Sequence, residues 1–402
     1  MSWPVTELNS SLWLRASPAP AKAGRLIVLD GARGYLLVMM FVSHLTSVYG
    51  TPLFWFHHGE FSAVMDAEFF IPLSGFVCAI SYARPFRQAG AGASALAVLK
   101  RLRWLYVYQV AVALIVFALV RAAWPDRLIN GVAPDFDTSL SVQILQVMTF
   151  ARQPYYLDIL LVYMVLMLFI PAAQLLLFAN RVRLFFGILI SCWLFSRLGF
   201  DDQILNQLYV HGVDTRPYFS LAGYFNPLSY ALLFYGGFYL GHRFSGKGLT
   251  GFRADVVPVS FRYFVIAGGI IAGFAVADLL PGVPDYFHSP ERDRYSEVAL
   301  CSTLAISYAI YFLLNRSGLG EPVASLRNLI SGLFCLPALV MIGQNSLFFY
   351  STHVVMVYLA SYLIAFWNMG NNLLAVLGIQ IAVIVSAFVV TALKKRLLPG
   401  LP

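Results

Sequence analysis

This chain has little charge. Asp, Glu, Lys and Arg make up 11% of it, while 59% is hydrophobic; a soluble domain carries about 25% charged residues. So few charges cannot cover a surface that faces water, which excludes an ordinary soluble domain and leaves lipid as the solvent for most of the chain. Cysteine is scarce as well. Cys78, Cys192, Cys301 and Cys335 lie in apolar stretches without metal-like spacing, so they read as small core residues, and neither a disulfide framework nor a metal site is expected. The first 25 residues lack a continuous apolar core and hold Pro4, Pro18 and Pro20 among basic residues. That argues against a cleavable signal peptide, and the run from Tyr35 to Tyr49 is expected to serve as an uncleaved anchor. No internal repeat and no second soluble domain stands out. The net charge of +8 does not mark a nucleic-acid partner, because the basic residues fall in short connections, where they set membrane topology.

What the chain does have is a series of apolar runs, and about 20 apolar residues in a helix cross a bilayer. Spanning helices are expected at 34–50, 67–83, 104–121, 155–179, 184–198, 227–242, 261–280, 297–314, 344–366 and 373–393. Breakers separate them: Thr51-Pro52, Trp124-Pro125, Asn226-Pro227, Pro281-Gly282 and Asn368 to Asn372. The apolar stretch from Leu329 to Val340 is short and interrupted by Pro337, so a re-entrant or interfacial segment is expected near 329–341. The fold class is therefore an all-α polytopic membrane protein of about ten transmembrane helices. With the N-terminus in the cytoplasm, the inner segments collect clusters such as Arg84, Arg87, Lys100, Arg101, Arg103 and Lys394, Lys395, Arg396, and the outer ones hold far fewer cations. Both termini are thus expected to be cytoplasmic, with tails at 1–25 and 397–402 around a membrane domain at 26–396.

The outer loops are longer and mix carboxylates (Asp126, Asp135, Asp137, Asp201, Asp202, Asp214, Asp285, Glu291, Asp293) with aromatics (Trp124, Tyr155, Tyr156, Tyr209, Tyr218, Tyr286). Acids beside aromatic faces suit sugar binding; the same rings also fit an interfacial aromatic belt.

Ionisable groups at membrane depth are expensive and point to function. Arg33 and His44 share a helix face about three turns and roughly 16 Å apart, which puts His44 past the bilayer middle if Arg33 sits at the inner interface. A neutral imidazole there suits a general base; a packing histidine fits the position equally. Asp66 and Glu68 open the second helix on the outer side, where Glu68 is expected to approach His44, or else to face the helix dipole. Asn345, Ser346, Tyr350 and His353 form one polar stripe, which lines a tunnel or knits helices. His57 and His58, adjacent and so pointing apart on a helix, are not expected to pair on a metal. Lys100, Arg101 and Arg103, with Arg25 and Arg33, form a basic inner face that attracts phosphates or simply sets topology.

At these residues the chain resembles the membrane acyltransferase-3 superfamily. Leu29-Asp30-Gly31-Ala32-Arg33, followed after ten intervening residues by His44, is similar to the family's opening signature, with Ala32 in place of the usual leucine. Glu68 to Phe76 resembles the family's acidic-x-Phe-Phe-x-x-Ser-Gly-Phe pattern, interrupted by Pro72. Lys100-Arg101-Leu102-Arg103 is similar to the basic run before the third helix, and Gly343 to His353 to the late helix that ends in histidine. Within the superfamily the likeness is to the OpgC-type branch, linked to succinylation of osmoregulated periplasmic glucans.

The resemblance implies a multi-pass protein of the bacterial inner membrane that moves an acyl group from cytoplasmic acyl-CoA, succinyl-CoA in this branch, to a hydroxyl of a periplasmic glucan. His44 would be the base and Glu68 its assistant. Arg33 with Arg101 or Arg103 would hold the donor's phosphates, Asp30 and His353 would join the substrate-binding set, and Ser74, Asn345 or Tyr350 would stabilise an oxyanion. An acyl-histidine intermediate is the alternative to direct transfer. No permanently bound cofactor and no metal is expected. A succinyl terminus needs a second cation, with Arg121, Arg152, Arg197 and Arg216 as candidates. Rival readings are a glycan O-acetyltransferase of the same superfamily and a transporter or flippase, although no inverted pairing of broken helices is evident.

Overall fold

The computed structural model describes residues 27–60, 62, 64–122, 139–211, 225–245, 257–279, 294–316 and 320–398. In chain order the helices are α1 (Ile27–Val48), α2 (Asp66–Ala122), α3 (Leu140–Met148), α4 (Asp158–Leu168), α5 (Ile170–Phe178), α6 (Val182–Arg197), α7 (Phe200–Val210), α8 (Pro227–Ser245), α9 (Phe261–Leu279), α10 (Glu297–Asn315), α11 (Glu321–Phe334), α12 (Pro337–Gln344), α13 (Ser346–Phe366) and α14 (Leu373–Leu397). Two 3-10 turns, Pro52–Phe56 and His58–Glu60, follow α1. No strand occurs among the described residues.

Every expected span overlaps a helix, but the count and the connections differ. Among the described residues, five helices (α1, α2, α10, α13 and α14) are by length and composition able to cross a membrane, and up to eight spans result if each of three bent pairs is one. The pairs are α4–α5, bent by 45°, α6–α7 by 58° and α11–α12 by 51°. Their breaks have local causes: Pro171 opens α5, Gly199 holds φ 74° between α6 and α7, and Pro337 opens α12. The α11–α12 pair lies where the re-entrant segment was expected. α8, with Tyr230, Tyr235, Tyr239, His242 and Arg243, does not meet the same measure, and α9 is apolar over Phe261–Ala277.

The spans expected at 67–83 and 104–121 are two limbs of one element. α2 is broken only at Ala89 and Gly90, where Gly90 takes φ 73°. The basic stretch between them, read as a loop, is helical: Arg84, Arg87, Lys100, Arg101 and Arg103 extend the limbs because Arg, Lys and Ala are good helix formers. Arg33, expected at the start of the first helix, lies inside α1, about two turns from its beginning.

Lipid does not drive apolar faces together, so helix association rests on close contact and on buried hydrogen bonds. Both occur here. A Cβ at Gly34 would collide with the Leu339 carbonyl and one at Gly343 with the Asp30 carbonyl, so α1 and α12 touch backbone to backbone. α2 and α8 meet in the same way at Gly75 and Gly237. Buried amides add cross-links. Ser94 donates to Gln174 at 2.5 Å, Gln109 to Gln153 at 2.8 Å, and Gln380 of α14 to the Leu45 carbonyl at 3.1 Å.

Candidate functional site

α1 and α13 run side by side in the same direction. Gln344, just before α13, donates to Asp30 at 3.4 Å, Arg33 donates to Ser346 at 2.7 Å, Phe41 meets Phe349 edge-on, and His44 meets His353. Arg33 and His44 of the predicted stripe on α1 thus meet Ser346 and His353 of the predicted stripe on α13.

At one end, Nδ1 of His44 is 3.1 Å from Nε2 of His353. One ring must donate and the other accept, so at least one is neutral. His353 is fully buried among Phe41, Phe349 and Tyr350. His44 is half-buried, and its Nε2 has no hydrogen-bond partner among the described residues. With Nδ1 engaged, Nε2 is the nitrogen left to meet a reactant.

Tyr156 stacks on His44, with ring centroids 4.1 Å apart and planes at 30°. Its backbone is left-handed (φ 72°), its carbonyl accepts the Tyr350 hydroxyl, and its own hydroxyl is 2.9 Å from Ser47, which is exposed. The sequence showed Tyr156 only as one outer-loop aromatic; nothing in its spacing signals the stack.

Glu68 does not play the part expected of it. It is buried at the start of α2, accepts from the Met65 amide at 3.1 Å and from the Tyr230 hydroxyl at 3.4 Å, and Tyr230 packs on Tyr295. Asp66 is the carboxylate that faces α1 and the histidines. Ser43 donates to it at 3.5 Å, His57 Nε2 lies at 3.0 Å, and His58 Nε2 at 3.7 Å. His57 and His58 are not on one helix: His57 is an extended residue (φ −85°, ψ 134°) between the two 3-10 turns, and His58 opens the second. Burial lowers the basicity of His58 against the opposing pull of Asp66. The donor atoms of His57, His58 and Asp66 lie within 4.8 Å of one another. The Gly59 amide, however, donates to Nδ1 of His57 at 2.8 Å. The proton of that ring then sits on Nε2 and points at Asp66, so the donor set fits a hydrogen-bonded acid–imidazole pair better than a metal.

The other end of the α1–α13 seam is cationic. Arg33 also covers the Phe70 ring at 5.9 Å, and Tyr163, Cys78 and Arg101 are within its electrostatic reach. Cys78 lies 3.1 Å from the Tyr163 hydroxyl. Of the basic pair on α2, Arg101 is half-buried on this side, while Arg103 is exposed over the Trp104 ring. Asn345 is tied at both ends of its amide, donating to the Met341 carbonyl at 2.9 Å and accepting from Lys394 at 3.0 Å.

Of the expected oxyanion donors, Asn345 belongs to the cationic end, Tyr350 packs on His353 with its hydroxyl on the Tyr156 carbonyl, and Ser74 is buried in α2. Among the candidate cations for an acyl terminus, Arg197 pairs with Glu297 at 3.0 Å and Arg152 covers Phe117. Arg121 is exposed at the end of α2. Arg216 lies outside the described residues, as do Trp124, Asp126, Asp135, Asp137, Asp214, Tyr218, Asp285, Tyr286, Glu291, Asp293, the N-terminal tail and residues 399–402 of the C-terminal one.

Lys394 was read only as a topology signal. A usable sign was present: the buried positions of α14, Val376, Gln380, Val383, Ala387, Thr391 and Lys394, alternate at steps of three and four, and Lys394 continues that stripe.

Compared with known proteins, residues 25–397 match the model of a family described as OpgC protein. No curated protein matches, and no solved structure does.

Proposed function

The chain belongs to the OpgC family, and on that footing we propose that it is a transmembrane O-acyltransferase, moving an acyl group from a cytoplasmic acyl-CoA to a glycan hydroxyl on the far side of the membrane. The acyl group is succinyl, the acceptor a periplasmic glucan, and the setting the bacterial inner membrane, with about ten spans and both termini cytoplasmic. Placement in the acyltransferase-3 superfamily is part of the same proposal. Ten spans result if both limbs of α2 cross, α8 and α9 cross, and α11–α12 re-enters.

The observation that carries the reading is the His44–His353 pair, with Nε2 of His44 free of hydrogen bonds among the described residues and Arg33 three turns away on the same seam. For His44 Nε2 to act as a base, its proton must sit on Nδ1 and be donated to His353. His353 then fixes the tautomer and the plane of the ring, and is a positioning residue. As the acceptor hydroxyl attacks the thioester carbonyl, its proton passes to His44 Nε2. The tetrahedral adduct collapses, the carbon–sulfur bond breaks, and the proton goes from His44 to the departing thiolate. The products are an ester and free CoA, with no net change in protons. Tyr156 stacks on the imidazole, next to exposed Ser47, on the side from which the acceptor arrives.

The test is thiol release. Purified protein with succinyl-CoA and a glucan acceptor should liberate CoA. His44→Ala should lower the rate by about 10²–10⁴-fold, the usual contribution of a general base, and His353→Ala by about 10²-fold through misplacement of the ring. Full activity in His44→Ala would remove this histidine from the chemistry. The three bent helix pairs also suit a transporter; a protein that releases no thiol from any acyl-CoA yet moves glycan across vesicles would establish that reading instead.

A further inference from the structure

Lys394 does not behave like a topology anchor. It begins the run Lys394-Lys395-Arg396 at the end of α14. Cations that only mark the cytoplasmic side extend into water, and Lys395 and Arg396 are exposed in that way. Lys394 is 7% exposed. Its chain turns back into the bundle, covers the Phe348 ring at 5.7 Å, and sets Nζ 3.0 Å from Oδ1 of Asn345.

Asn345 is the joint between α12 and α13, and the residues on either side of it hold the other charges of this end. Gln344 donates to Asp30 and Ser346 accepts from Arg33. Three consecutive residues thus gather a carboxylate and two cations brought from opposite ends of the chain, by α1 and by α14. The guanidinium is not saturated: Nε of Arg33 is buried without a hydrogen bond. Arg101 adds a third positive charge within electrostatic reach of Arg33. A bidentate fork and a compact ammonium, held by the adjacent residues Ser346 and Asn345, are donors that suit phosphate. The fork lies roughly 16 Å along α1 from the imidazole, a distance that suits a ligand whose phosphates and reactive carbon are joined by a long arm.

We propose that Lys394 and Arg33, gathered on the 344–346 joint, form an anion site for the phosphate groups of the acyl donor, and that Lys394 is a donor-binding residue. This deepens the acyltransferase reading and rests on it for the identity of the ligand.

The experiment is equilibrium binding to the full chain in nanodiscs, with coenzyme A and, as a probe without phosphates, pantetheine. Lys394→Met should weaken coenzyme A about tenfold or more, as expected for loss of a charged hydrogen bond, and leave pantetheine unchanged. Lys394→Arg should stay within about threefold of the parent, and Lys395→Met, at the exposed neighbour, should match it. In turnover, Lys394→Met should raise the KM for acyl-CoA with little change in kcat. Coenzyme A binding unaltered by Lys394→Met, absent altogether, or weakened in parallel with pantetheine, overturns the proposal. A Lys394-dependent coenzyme A site in a protein that releases no thiol would keep the anion site and end the acyltransferase reading.

Discussion

Tyr156 holds a backbone conformation (φ 72°) that a bulky side chain seldom adopts and that costs about 1–3 kcal/mol. It is kept there by the Tyr350 hydroxyl on its carbonyl, the stack on His44 and the contact with Ser47. Tyr156→Gly should relieve the backbone while removing the ring. The expected result is a melting temperature equal to or above the parent's, with acyl transfer lowered by about 10²-fold. A matched fall in both would reduce Tyr156 to a packing residue. Individual residues were unevenly legible from the sequence. Arg33, His44 and His353 stand out because polar groups are rare in apolar helices, and their shared faces follow from the 3.6-residue period. Glu68 was misjudged because topology fixes the level of a residue in the membrane but not its azimuth, and Asp66, two positions away, has the azimuth that faces α1. Tyr156 was beyond reach, since its role depends on a left-handed turn that no local pattern encodes.

Among the helices, the apolar runs located nearly every element, because hydropathy reports what lies in lipid. It does not report where a helix ends. The basic stretch between the limbs of α2 leaves the apolar pattern and stays helical. The adjacent histidines in the connection after α1 were separated by assuming a helix through both, whereas His57 is extended between two 3-10 turns. Contacts between helices were not legible at all, as a glycine in a membrane helix looks the same on a seam as on the lipid face. The structure separates the two at neighbouring positions of α8. A Cβ at Gly237 would meet the Pro72 carbonyl, whereas one at Gly236 meets nothing within 4 Å. Gly236→Ala should be neutral, or stabilising by about 0.5–1 kcal/mol through helix propensity. Gly237→Ala should force α2 and α8 apart and lower folded yield and melting temperature. Equal behaviour of the two variants in detergent unfolding would show that this seam does not hold the bundle.

For the molecule as a whole, the proposed reaction requires that the cationic end and the histidine end open to different compartments. Exposed Ser47 and exposed Lys395 mark those ends. In a background with Cys78, Cys192, Cys301 and Cys335 replaced, a membrane-impermeant thiol reagent applied to cells with a permeabilised outer envelope should label Ser47→Cys and spare Lys395→Cys. The reverse pattern would invert the orientation, and labelling of both would place them on one side.

One straight rod joins these ends. Ser346 and His353 lie about two turns apart on α13, the first in the grasp of Arg33 and the second against His44. A helix barely stretches, so any axial slip imposed at Ser346 reappears at His353 undiminished. Loading at one doorway and alignment of the two imidazoles near the other are therefore a single mechanical coordinate.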